Sequence, residues 1–175
     1  LSEGYLALQP IEMFELRAGA INQGFLNSPM LISGQRGFPG LQQVVTLQNG
    51  DLKVELIAQQ SVPTSQSLNT EREDKESLPS FLTQSLHVSD KWSWLEWNAF
   101  AGHYAFNNLP SKVAFQSAVT GNRVEGEVAP GARFKSGFDG YFGGAKVCAC
   151  GVGPIQLVGE FQRFANMQAP AEDRD

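Results

Sequence analysis

Residues of opposite chemistry alternate one by one through most of this chain, and a period of two admits only extended strands. Phe14, Leu16, Ala18 and Ala20 fall on one side, with Glu15, Arg17 and Gly19 between them. Leu52, Val54, Leu56 and Ala58 oppose Lys53, Glu55 and Gln59; Leu95, Trp97, Ala99 and Ala101 oppose Glu96 and Asn98. Near the C-terminus, Ile155, Leu157, Gly159 and Phe161 oppose Gln156, Glu160 and Gln162. Eighteen glycines and nine prolines punctuate the chain too often for long helices. The expected class is therefore all-β.

Short and long connections take turns between the alternating segments. The spacing predicts strands over 4–9 and 13–25, joined by the short Pro10-Ile11-Glu12, and then a long link over 26–40. Strands over 41–47 and 52–62 flank Gln48-Asn49-Gly50-Asp51, and Asn-Gly between alternating runs is a strong hairpin signal. A second long link, 63–80, carries Glu71-Arg72-Glu73-Asp74-Lys75-Glu76, whose charge density requires water. Strands over 81–88 and 92–106 turn at Ser89-Asp90-Lys91, and a third long link occupies 107–137. Strands over 138–150 and 155–168 turn through Gly151-Val152-Gly153-Pro154. Residues 1–175 thus read as one domain of eight strands in four hairpins.

Charged residues make up 18 % of the chain, below the roughly 25 % of soluble domains. No apolar run is long enough for a membrane helix, but a membrane strand needs only about 9–11 alternating residues. A net charge of −5 supplies no basic field for a phosphate backbone, so no nucleic-acid partner is expected. No Gly-x-Ser-x-Gly elbow or local Ser/His/Asp set is present, and a non-enzyme is expected. The glycines of 34–40 lack the Gly-Lys-Ser/Thr of a phosphate loop. His87 and His103 are too far apart to share a metal ion, and no metal or cofactor is expected. Cys148 and Cys150 share one face of an extended strand, where a bond between them requires strain.

Alternation of this kind has two readings. A soluble lipocalin-like barrel turns its apolar faces inward, which would put Leu16, Leu56, Trp97 and Leu157 around a ligand. A membrane barrel turns them outward. Three features favour the membrane. Small residues (Ala18, Ala20, Ala58, Ala99, Ala101, Gly143, Ala145, Ala149) crowd the apolar faces and would fill a closed core poorly. Short and long connections segregate to opposite ends. Aromatics gather toward strand ends, Trp92 and Trp94 at the short turn and Phe25, Tyr104, Phe106 and Phe138 at the far end, as two girdles would.

The segments Phe14-Glu15-Leu16-Arg17-Ala18-Gly19-Ala20-Ile21-Asn22-Gln23-Gly24-Phe25 and Ile155-Gln156-Leu157-Val158-Gly159-Glu160-Phe161-Gln162-Arg163-Phe164-Ala165-Asn166 resemble strands of Gram-negative porins. That resemblance implies an antiparallel up-and-down transmembrane β-barrel in the bacterial outer membrane, surrounded by lipid and passing small hydrophilic solutes through a water-filled lumen. It also implies homo-oligomers or a larger outer-membrane assembly, and one loop folded inward as a constriction. With short turns in the periplasm, both chain ends fall on the long-loop side, so an internal portion of a larger barrel is expected. An independent eight-strand barrel filled by its own side chains is the alternative.

Glu15, Arg17, Lys53, Glu55, Glu96, Asn98, Lys146, Glu160 and Gln162 are the expected lumen-facing residues, forming either a mixed-charge pore wall or a network of salt bridges. Arg123, Glu125, Glu127, Arg133 and Lys135 are the expected constriction-loop residues. A structural or adhesive barrel that binds partners through its long loops is the remaining functional alternative.

Overall fold

The computed structural model describes residues 4–23, 37–63, 76–118, 123–126, 131–152 and 155–168. Eight long strands make one sheet: β1 (Gly4–Ile11), β2 (Phe14–Asn22), β3 (Gly37–Asn49), β4 (Leu52–Ser61), β5 (Ser80–Trp92), β6 (Leu95–Asn107), β9 (Phe138–Val152) and β10 (Ile155–Asn166). A short helix α1 (Ser111–Ser117) and a two-stranded ladder, β7 (Val124–Glu125) with β8 (Arg133–Phe134), stand between β6 and β9. Each long strand pairs antiparallel with the next in sequence, and β6 pairs with β9. The protein is an all-β, up-and-down antiparallel sheet. Among the described residues nothing pairs with the outer edge of β1 or of β10, so the sheet is open and the closure of a barrel is not found within these strands.

The strands outrun the alternating segments that predict them. β3 begins at Gly37 rather than Leu41 and takes four residues from the long link. Pro39 fits because it lies near the strand start, where a missing N–H costs little, and its carbonyl still accepts from Val62 N at 2.8 Å. The β5–β6 turn falls at 93–94, not at Ser89-Asp90-Lys91, since Trp92 already pairs with Leu95. Polar residues survive in this ladder because they are satisfied across it or along it: Lys91 forms an ion pair with Glu96, its register partner, and Trp92 Nε1 donates to Asp90 Oδ2 at 3.1 Å. The link over 107–137 is not structureless, since it holds α1 and the β7–β8 ladder. Phe25 and Glu127 lie outside the described residues. Cys148 is disulfide-bonded.

Register fixes the tilt. One row runs straight across the sheet through Phe14, Val45, Leu56, Leu86, Ala101, Gly143 and Arg163. Phe14 is the first residue of its strand, but β3 continues four residues below Val45, β5 six below Leu86 and β9 nine below Gly143 before reaching their short turns. At the opposite end the strands shorten in the same sense, with β2 rising eight residues above the row and β10 only three. From the first hairpin to the last, the turns therefore slip about nine residues over six strand spacings. At about 3.3 Å per residue and about 4.8 Å per spacing, strands whose turns share one level are tilted by about 45°.

The two faces differ in burial as well as chemistry. The inner face holds Phe38, Gln42, Val44, Ile57, Gln59, Phe81, Thr83, Ser85, Phe100, Tyr104 and Phe142, all buried. The outer face holds Leu6, Leu8, Leu41, Leu47, Leu56, Leu82, Leu86, Tyr141, Val147, Leu157 and Phe161, all exposed, with Leu6 at 80 % and Phe161 at 66 %. Leu56 and Leu157 do not point inward as a soluble ligand-binding barrel requires. The buried side mixes aromatic rings, Val44 and Ile57 with polar residues, and large aliphatic side chains line the open side, where a water-soluble sheet would carry mostly polar ones.

Candidate functional site

The inner face is the only one that assembles polar side chains into a connected system among the described residues, and register explains how. Arg17, Gln42, Gln59, Thr83 and Tyr104 form one row across five strands. Arg17 holds Glu15, two residues along β2, through Nε to Oε1 at 2.9 Å and Nη2 to Oε2 at 2.8 Å. Its Nη1 donates to Gln42 Oε1 at 3.0 Å, and Gln42 Nε2 donates to Gln59 Oε1 at 3.0 Å. Gln59 Nε2 then reaches Gln23 Oε1 and Ser61 Oγ, each at 2.9 Å. Gln23 Nε2 donates to the Ile21 carbonyl at 2.6 Å. Arg17 also lies over the Tyr5 ring, 5.5 Å from its centroid. The chain of bonds starts at a half-exposed ion pair and ends in glutamines that are 1–2 % exposed. A buried amide costs roughly 1–3 kcal/mol unless paired, so the ladder stands because every link in it is made.

Toward the short turns the same face becomes charged and wetter. Lys53 pairs with Glu55 at 2.9 Å, Lys91 with Glu96, and Gln162 Nε2 donates to Glu160 Oε1 at 2.6 Å. Asn98 stands in register between Ser89 and Lys146, and its Oδ1 is buried with no hydrogen-bond partner among the described residues. Lys146 faces Glu160 across the next ladder. Asp51, Ser89, Asp90, Lys91, Glu96, Asn98 and Lys146 line a depression of about 370 Å³ at this end. All nine residues expected on the lumen side fall on this one face by strand parity, and six of them make three local pairs, Glu15 with Arg17, Lys53 with Glu55 and Glu160 with Gln162, rather than one cluster.

Toward the long links the inner face is aromatic. Phe38, Phe81, Phe100, Tyr104 and Phe142 form a buried cluster, with Phe106, Phe138 and Phe164 packed against it. Phe81 and Phe106 rings lie 4.6 Å apart, and Phe142 stacks on Phe164 at 6.0 Å. Tyr104, Phe106 and Phe138 therefore do not form an outer girdle: Tyr104 is 4 % exposed and shares its face with Glu96 and Asn98. They sit at even positions of β6 and β9, the inward parity, and only a parity reading separates them from outward aromatics. At the short-turn end Trp92 and Trp94 are exposed.

The residues expected in a constriction loop come together in part. Glu125 pairs in register with Arg133, and Lys135 N donates to the Arg123 carbonyl at 3.0 Å. This small unit touches the inner face through Phe134, whose ring meets Phe138 edge-on at 4.8 Å. It is tied to the second long link by Ser111 N donating to Glu76 Oε1 at 2.9 Å.

Neither a protein-family model, nor a curated protein sequence, nor a solved structure matches this chain. The site is therefore read from its geometry.

Sequence reasoning missed Gln23, Gln42 and Ser61. Each shares the inward parity of its strand, which was the available signal, but neutral amides carry no charge pattern to draw attention. Among the described residues no three His, Cys, Asp or Glu side chains converge as a metal site would need. His87 faces inward, stacked on Phe100 at 5.6 Å, whereas His103 faces outward beside Asp139 at 2.6 Å.

Proposed function

We propose that these strands are membrane-spanning strands of an outer-membrane β-barrel, with the inner face as the wall of a lumen that passes small hydrophilic solutes. The observation that carries this reading is the apolar exposed face: large aliphatic side chains cover it, while the ion pairs and the glutamine ladder lie on the opposite one. Water would not tolerate that outer face, whereas hydrocarbon would. Strand length agrees. β3, β5 and β6 have 13 residues and β9 has 15, beyond the usual 3–10 of globular strands and enough to cross a bilayer at a tilt of about 45°. The outer edges of β1 and β10, which no strand among the described residues pairs, suit neighbouring strands of a larger barrel, since an open edge in lipid leaves backbone groups unpaired.

In this function the charged half of the inner face sorts solutes by field, with Lys53, Glu55, Lys91, Glu96, Lys146 and Glu160 along the path. The protein passes solute without transforming it. Planar-bilayer recording tests the reading: discrete conductance steps are expected, and a bilayer that stays silent with protein inserted refutes the channel.

A second reading, a structural or adhesive barrel that works through its long loops, is favoured by one observation. The long-link half of the inner face is filled by rings, with Phe81 fully buried. Insertion without conductance, together with binding through the loops, would select it.

A further inference from the structure

The outer face carries a second boundary that runs obliquely to the register. Along six of the eight strands, moving from the short turn toward the long links, outward side chains are apolar until a polar border residue is reached, apart from Asp90 near the short turn of β5. On β2 that residue is Asn22, on β4 Gln60, on β5 Gln84, on β6 His103 and on β10 Arg163; on β9 it is Tyr141 followed by Asp139. Counted from the row through Phe14 and Arg163, these positions lie eight, four, two, two and zero residues above it for β2, β4, β5, β6 and β10, with Tyr141 of β9 at two. The border therefore falls across the sheet from β2 to β10 in the same sense as the short turns, and by a similar amount: eight residues against about nine. Turn positions follow from backbone pairing, and the border follows from side-chain chemistry, so their agreement comes from two independent observations. Gln43 is the outward polar side chain of β3 that lies on the apolar side of this line.

The separation of the two borders is nine residues on β2, β4 and β6, and eleven on β9 from Val152 to Tyr141. Met13 to Asn22, Asp51 to Gln60 and Trp94 to His103 are each nine residues. Nine residues at about 3.3 Å on strands tilted by about 45° span about 21 Å, close to the roughly 25 Å apolar band of outer-membrane barrels. A band of similar height from strand to strand, bounded by lines that both cut across the hydrogen-bond rows in the same sense, is what a planar bilayer imposes and what a protein partner of arbitrary shape does not.

We propose that the outer face meets a lipid bilayer whose far headgroup layer crosses the sheet along the oblique line Asn22, Gln60, Gln84, His103, Tyr141 and Arg163. The inference rests on the membrane reading above and adds the position of the bilayer. His103 and Asp139 then sit in the headgroup layer, where their mutual contact at 2.6 Å is tolerated, and the Tyr141 ring packs edge-on against His103 at 5.2 Å with its hydroxyl free to reach polar lipid. Leu56, Leu86, Ala99, Val147 and Phe161 lie in hydrocarbon.

One register row separates the alternatives. Leu16, Ala58, His103 and Tyr141 are all in the row two residues above Phe14, yet the oblique line puts the first two in hydrocarbon and the last two at its border. The full chain would carry a nitroxide on a ketone-bearing amino acid at each of these positions in turn, which leaves the native cysteines untouched. In vesicles of phosphatidylethanolamine and phosphatidylglycerol, collision with oxygen is compared with collision with a water-soluble nickel chelate. Oxygen is expected to dominate at Leu16 and Ala58, with at least a severalfold shift toward nickel at His103 and Tyr141. Uniform lipid-phase values along the row would overturn the oblique boundary and leave the membrane reading standing. Nickel dominance at all four would overturn both.

Discussion

Gly102 lies directly opposite Phe142, and Gly144 directly opposite Phe100, so these two rings of the inner cluster each rest on a neighbouring strand's missing side chain. A Cβ on Gly102 would come within 2.5 Å of the Phe142 ring, and one on Gly144 within 2.8 Å of the Phe100 ring. The small residue on one strand is what lets the large one lie flat on the next. Gly140 is tighter still, since a Cβ there would meet the Ala165 carbonyl oxygen at 1.9 Å. Backbone cannot yield as a side-chain tip does, so Gly140→Ala is expected to destabilise the fold by about 2–3 kcal/mol. Gly159→Ala on the neighbouring strand meets nothing within 4 Å and is expected to be neutral or slightly stabilising. Urea titration in lipid or detergent, followed by circular dichroism, compares the two. In the glutamine ladder, Gln59→Leu keeps the volume but strands Gln42 Nε2, Gln23 Oε1 and Ser61 Oγ; a loss of about 2–4 kcal/mol is expected in the same titration. Arg17→Met exposes a half-solvated Glu15, and a smaller loss of about 1 kcal/mol is expected.

The hairpins show how far local sequence reaches. Between β3 and β4 the ladder closes at Asn49 with Leu52, so the two loop residues are Gly50 and Asp51, and Gly50 takes φ +63° as the first of them. A two-residue loop with glycine at its first position matches the twist of the strands, and Gly50→Ala should cost about 1 kcal/mol in the same unfolding titration. The eight strands were legible because alternation of Leu56 with Glu55 or Trp97 with Glu96 leaves little else to predict. Their ends were not, because Gly37, Pro39, Asp90 and Lys91 carry turn chemistry while the cross-strand partners that hold them extended sit far away in sequence. For the same reason the charges of the inner face were legible by parity, while the pairing of Arg17 with Gln42, 25 residues away, required register. The α1 and β7–β8 unit between β6 and β9 was hidden because its elements are short and its fully buried apolar residues, Ala114 and Ala132, are small. Phe134→Ala should release this unit from Phe138 at a cost of about 1 kcal/mol to the sheet, and limited proteolysis within 111–134 should accelerate several-fold.

For the whole molecule, the inner face is a gradient, charged near the short turns and aromatic near the long links. A channel along it would be selective at one end and narrow at the other. Lys91, exposed on that charged half, is a suitable probe of selectivity: Lys91→Glu is expected to raise the cation-to-anion permeability ratio measured from reversal potentials, with the single-channel conductance changed less than twofold. An unchanged ratio would remove this half of the face from the solute path. All of this depends on the apolar outer face lying in lipid, and refolding tests that most directly. The full chain is diluted from urea into buffer with or without phosphatidylethanolamine and phosphatidylglycerol vesicles, then followed by circular dichroism and flotation. A β-sheet spectrum and co-flotation are expected when vesicles are present, and aggregated chain when they are absent. A monodisperse, β-folded monomer in plain buffer that ignores the vesicles would contradict an outer face lying in lipid.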